Sequence, residues 1–124
     1  YALERQQFGK PIFQHQGLQF LLAEMAAEVE MARSIWLKGL DALARDDAKE
    51  TSAMASVAKL ICTDIAVRVT SGSVQVMGAN GLSKANPVER FMRDSRTFEI
   101  FDGTPQIQKL LIARHLVRDG IPVR

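Results

Sequence analysis

From Gly17 to Asp47 the chain places Leu18, Leu21, Leu22, Met25, Val29, Ala32, Trp36, Leu40 and Leu43 mostly in steps of three and four. That period predicts one amphipathic helix of roughly 45 Å at about 1.5 Å per residue. A stripe of that length can be covered only by other long helices lying beside it, which commits the chain to a bundle. Trp36 and Phe20 read as core residues of this helix.

The stretch from Ala48 to Met77 repeats the pattern with Met54, Val57, Ile61, Ile65, Val69 and Val76, predicting a second long helix after the polar break RDDAKET. Its small residues, among them Ala53, Ala58, Ala66 and Gly72, allow a neighbouring helix or a flat ligand to approach closely. MGANGLSKANP then reads as turn chemistry: Gly78 ends the helix, Asn80-Gly81 favours positive φ, and Asn86-Pro87 opens a short third helix to about Arg96. Arg90, Arg93 and Arg96 recur every three residues, a solvated face paired in part with Glu89 and Asp94. A last helix starts at Thr104-Pro105, carries Ile107, Leu110, Leu111 and Val117, and stops at Asp119-Gly120 with Pro122 beyond. Nothing reads as a strand.

YALERQQFGK opens without methionine and reads as the tail of a helix ending at Gly9 before Pro11. The expected architecture is therefore all-α, an antiparallel up-and-down four-helix bundle whose first helix is truncated. Residues 1–124 are expected to be one domain excised from the C-terminal part of a longer chain.

Composition removes several function classes. The formal charge of +2, from 16 basic and 14 acidic residues, is dispersed, and no basic block of the kind that binds nucleic acid stands out. No apolar run approaches the roughly 20 residues of a membrane span. Cys62 is the single cysteine, and His15 and His115 are far apart, so neither a disulfide framework nor a metal-ligand spacing is present.

The residues with the most chemistry lie in RTFEIFDGTPQIQKLLIAR. Asp102 stands between apolar residues and a helix start, where a carboxylate could accept a proton. Gly103 leaves room for a substrate against the backbone, and N–H groups at the turn could stabilise a developing oxyanion. Local sequence alone favours the simpler role, a carboxylate capping a turn. GANG is a helix-to-helix turn before it is a phosphate cradle, because no strand precedes it and the P-loop spacing is missing. His15-Gln16 likewise reads first as the polar start of a helix.

Taken in order, YALERQQFGKPIFQHQ, AEMAAEVEMAR, VQVMGANGL and PVERFMRDSRTFEIFDGTPQIQKLLIAR resemble the C-terminal helical domain of the acyl-CoA dehydrogenase family, across essentially all 124 residues. The resemblance implies a parent of three domains and an FAD-dependent α,β-desaturation of an acyl-CoA thioester. A carboxylate takes the α-proton, the β-hydrogen leaves as hydride to the flavin, and an electron-transfer flavoprotein collects the electrons. Phe101, Asp102, Gly103 and Thr104 match the family's tyrosine-glutamate-glycine-threonine motif. Asp102 is thereby implied as catalytic base, and Asp102 and Gly103 as substrate contacts, with the Asp102 N–H bonding the thioester carbonyl.

The same resemblance assigns FAD contacts to Arg5, Gln6, Gln7 and Phe8, to His15 and Gln16, to Gln75, Val76, Met77, Gly78 and Ala79, and to Thr104 and Gln106. Arg5 has the plainest physics, a planar cation against a pyrophosphate. Because the family shares its cofactor across subunits, a homodimer or homotetramer is implied, in a bacterial cytoplasm or a mitochondrial matrix. Two departures stand out: Gly78-Ala79 where the family commonly has two glycines, and aspartate for glutamate at 102. Relatives resembling cyclic acyl-CoA dehydrogenases and nitroalkane oxidases also use aspartate there. Three alternatives stay open: a base on a helix upstream of Tyr1, a nitroalkane-oxidising flavoprotein, and a noncatalytic helical scaffold for assembly or DNA binding.

Overall fold

The computed structural model describes residues 1–118. The helix stop read at Asp119-Gly120 and Pro122 lies outside them. Four helices carry the fold: α1 (Gln16–Ala44), α2 (Ala48–Met77), α3 (Val88–Ile100) and α4 (Pro105–Arg118). The two long helices fall where the apolar period puts them. α2 begins on Asp47, whose side chain accepts the backbone N–H of Glu50 at 2.9 Å and so satisfies one of the free donors of the first turn.

α2 is the centre of the bundle, with α1, α3 and α4 all packed against it. A Cβ on Gly72 would sit 2.8 Å from the Met25 sulfur, so the small residue is what lets α1 and α2 lie close. Arg68 ties the same pair together by donating to Glu28 of α1 and to Asp64 one turn back on α2. Half-exposed ion pairs of this kind add little stability, and the packing carries most of it. α3 is fixed on α2 by a hydroxyl contact, Thr70 Oγ1 to Ser95 Oγ at 2.9 Å, with Ser95 buried.

Three readings are corrected. Residues 1–11 are not the tail of a helix. Tyr1 to Glu4 form a turn, and Gln6–Gln7 (β1) pairs antiparallel with Lys10–Pro11 (β2) around Phe8-Gly9, both at positive φ (54° and 78°). The physical reason is the Gly9 and Pro11 punctuation. Gly9 accepts positive φ without strain and Pro11 cannot donate to a helical ladder. The closure is sealed by Ile12 N–H donating to Arg5 O at 2.8 Å and Phe13 N–H to Ala2 O at 3.0 Å.

The second correction concerns the core. Phe20 and Trp36 are 59% and 55% exposed, because α1 covers its stripe chiefly with α2 and leaves its other flank open. The buried apolar residues are few, Ala42, Ala53, Met54 and Ile65, and among the described residues no large side chain is fully enclosed. The third is in the GANG turn. Positive φ falls on Gly78 (55°) and not on Asn80 or Gly81. α3 also runs four residues past Arg96, to Ile100, with the Phe101 N–H bonded to Thr97 O at 3.0 Å.

Candidate functional site

Two grooves hold part of the residues singled out by sequence, and they lie at different points along α2. The first opens where α3 gives way to α4 and is lined by Ala55, Ser56, Lys59, Phe98, Phe101 and Asp102. α3 ends at Ile100, Phe101 is extended, and Asp102 and Gly103 both take positive φ (52° and 104°) before Pro105 starts α4. A non-glycine residue at positive φ costs about 1–2 kcal/mol, so this turn is held by its surroundings.

Those surroundings are specific. Gln108, 7% exposed, donates from Nε2 to Gly103 O at 3.3 Å. Lys59 Nζ donates to Phe98 O and lies 5.2 Å from the centre of the Phe101 ring, which packs against Phe98 at 5.4 Å. Asp102 itself is exposed in this chain. The apolar neighbourhood read from its flanking residues is therefore one wall, Phe98 and Phe101, and no enclosure.

The second groove lies at the far end of α2, lined by Tyr1, Arg5, Gln7 and the run from Gln75 to Asn80. Tyr1 hydroxyl donates to Met77 O at 3.2 Å and accepts from Asn80 Nδ2 at 2.9 Å, which pins the N-terminal segment to the exit of α2. A Cβ on Gly78 would meet nothing within 4 Å, so its backbone is open to an incoming group. Gly81 is the opposite case, with a Cβ position only 2.7 Å from Val74 O.

Beside this groove the hairpin tip presents Phe8, 91% exposed at positive φ, stacked edge-on with His15 at 5.9 Å. His15 Nε2 donates to Gln7 O at 3.2 Å. Gln6, in β1, and Gln16, the first residue of α1, are exposed.

The sequence-assigned residues thus separate into two sets. Arg5, Gln7 and Gln75–Ala79 come together, and Gln6, Phe8, His15 and Gln16 belong to the adjoining hairpin and helix start. Asp102 lines the other groove, and Gly103, Thr104 and Gln106 follow it into the start of α4. Lys59 of the first groove and Met77 of the second lie about 27 Å apart along α2 at about 1.5 Å per residue. Lys59, Gln108, Tyr1 and Asn80 were missed by sequence reasoning. Their contacts span 39, 5, 76 and 79 positions, and only the Gln108 contact is local enough to have been sought from spacing.

The bundle thus sets the Asp102 turn against the N-terminal half of its central helix and the open Gly78 backbone at that helix's C-terminal exit. The family model described as acyl-CoA dehydrogenase, C-terminal domain, matches residues 1–117, and the chain belongs to that family. It is 42% identical over 118 residues to "Probable acyl-CoA dehydrogenase YngJ" of Bacillus subtilis, covering 95% of this chain and 30% of that protein. It is 36% identical over 120 residues to cyclohexane-1-carbonyl-CoA dehydrogenase of Geobacter metallireducens, covering 97% and 31%. The solved butyryl-CoA dehydrogenase of Megasphaera elsdenii superposes with a TM-score of 0.89 at 36% identity over 95% of this chain and 30% of that one. The chain spans about 30% of the length of the curated relatives it matches.

Proposed function

We propose that this chain is the C-terminal domain of a longer FAD-dependent acyl-CoA dehydrogenase in which Asp102 is the base. The observation that carries the reading is the Phe101-Asp102-Gly103-Thr104 turn, which presents a carboxylate at positive φ beside an apolar wall, with the backbone before and after it held by Lys59 and Gln108. A carboxylate so held can receive a proton from the carbon next to a thioester, and the adjacent backbone N–H groups can stabilise the enolate-like charge that builds as the proton leaves.

FAD, when bound, supplies the acceptor for the hydride that leaves the β-carbon as the new double bond forms. The residues present fit such a group. Arg5 and Gln7 face the open backbone of Gly78 and Ala79, a cationic and amide-rich rim suited to a pyrophosphate and its ribose. Phe8 adds an exposed aromatic face beside it.

The separation of the two grooves supports a shared cofactor. Arg5 sits by the C-terminal exit of α2 and Asp102 against its first half, about 27 Å away along the helix, so one copy gives the cradle and another the base, in a homodimer or homotetramer. The open flank of α1 and the exposed Phe91, Phe98 and Ile100 support the same conclusion, that further protein covers this bundle. The parent is read as three domains, with an electron-transfer flavoprotein as acceptor.

The test is anaerobic mixing of the full-length protein with straight, branched and cyclic acyl-CoAs and with nitroalkanes. Bleaching of the flavin absorbance by one acyl-CoA class is the expected result. Reduction by nitroalkanes alone, or a protein without flavin, would overturn it.

A further inference from the structure

We infer that Lys59 is a positioning residue for Asp102, acting through the turn and not on the substrate; the inference rests on the reading of Asp102 as base. Three observations converge on it. Lys59 stands on α2, the most heavily packed helix of the bundle, and its ammonium reaches the C-terminus of α3 to donate to Phe98 O. That carbonyl is one of the last four of the helix, which have no partner within it, and a cation there also meets the negative end of the helix dipole.

The same ammonium lies 5.2 Å from the Phe101 ring centre, within cation–π range. One side chain therefore grips the last turn of the helix and the residue just before Asp102. Gln108 grips the residue just after it, through Gly103 O. Between these two holds the backbone takes positive φ at Asp102 and again at Gly103. Without the first hold, Phe101 can swing and the carboxylate swings with it.

The need for such a hold follows from the residue at 102. Aspartate has one methylene fewer than glutamate, so its reach depends on where the backbone is placed. A misplacement of about 1 Å can cost on the order of a hundredfold in rate.

The experiment uses the full-length flavoprotein. Lys59→Met removes the donor and the charge while keeping the apolar stem, Lys59→Arg keeps both, and Asp102→Asn is run in parallel. The flavin-reduction rate constant and the acyl-CoA Kd are measured anaerobically with flavin content matched. Amide exchange across residues 97–108 gives a readout independent of the cofactor.

Lys59→Met is expected to lower the rate constant by roughly tenfold to a hundredfold, leave Kd within about twofold, and speed exchange at the Phe101 amide. Lys59→Arg is expected to restore all three. If Lys59→Met loses its flavin or does not fold, Lys59→Gln carries the same expectation with a smaller loss. An unchanged rate constant in Lys59→Met beside a slow Asp102→Asn would overturn the role of Lys59 and leave the base in place. A loss that appears in Kd, or that Lys59→Arg does not restore, would also overturn it. An Asp102→Asn protein as fast as its parent would remove the base, and the positioning role with it.

Discussion

Gln108 donates from Nε2 to the carbonyl oxygen of Gly103 at 3.3 Å, so the first turns of α4 hold the carbonyl that precedes the helix. The same nitrogen would lie 2.5 Å from a Cβ placed on Gly103, whose φ is 104°. Gly103→Ala therefore strains the backbone and displaces the clamp together. The expected cost is about 1–3 kcal/mol, seen as a lower thermal midpoint of the full-length protein; an unchanged midpoint would show that the turn relaxes freely.

Gly81→Ala should destabilise for a different reason. Its φ is ordinary, but the new Cβ would collide with Val74 O at 2.7 Å and Val74 Cα at 2.9 Å, which are backbone atoms and cannot rotate away. A loss of about 1–3 kcal/mol is expected. Gly78, a few residues earlier, has open space around it, so Gly78→Ala should weaken flavin retention through its 55° φ and its place in the cradle, not through a collision.

Cys62 should be a sluggish nucleophile. Burial pushes its thiol above the usual 9.0, and Sγ donates to Ala32 O at 3.4 Å. With the pKa raised, the thiolate is scarcer in the folded chain at any pH below that value, and reactivity should climb as pH rises toward it. Alkylation kinetics in buffer and in denaturant check this: the folded protein should react more slowly, and equal rates would contradict the burial.

How much of this was legible in the sequence follows from the range of each interaction. α2 was readable to the residue because its period and its Gly78 stop are local, whereas Asp47 was read as the end of the helix before it and not as the cap it forms. The hairpin was missed because Gln6–Gln7 and Lys10–Pro11 are too short to show an alternation, and the Phe8-Gly9 turn lacks the usual asparagine or aspartate. Trp36 looked like core because periodicity tells which face is apolar and not what covers it. Asp102 was singled out through its motif, whereas Lys59 stands 43 positions before it, and no spacing rule joins them.

The central claim is that Asp102 takes the α-proton, and the most direct measurement is the flavin-reduction rate of full-length Asp102→Asn, with flavin bound, mixed anaerobically with the acyl-CoA that bleaches the parent fastest. The amide cannot accept the proton, so a loss of at least a hundredfold is expected, in line with the usual contribution of a positioned base of about 10²–10⁴. Bleaching at the parental rate would contradict the account and move the base to residues upstream of Tyr1.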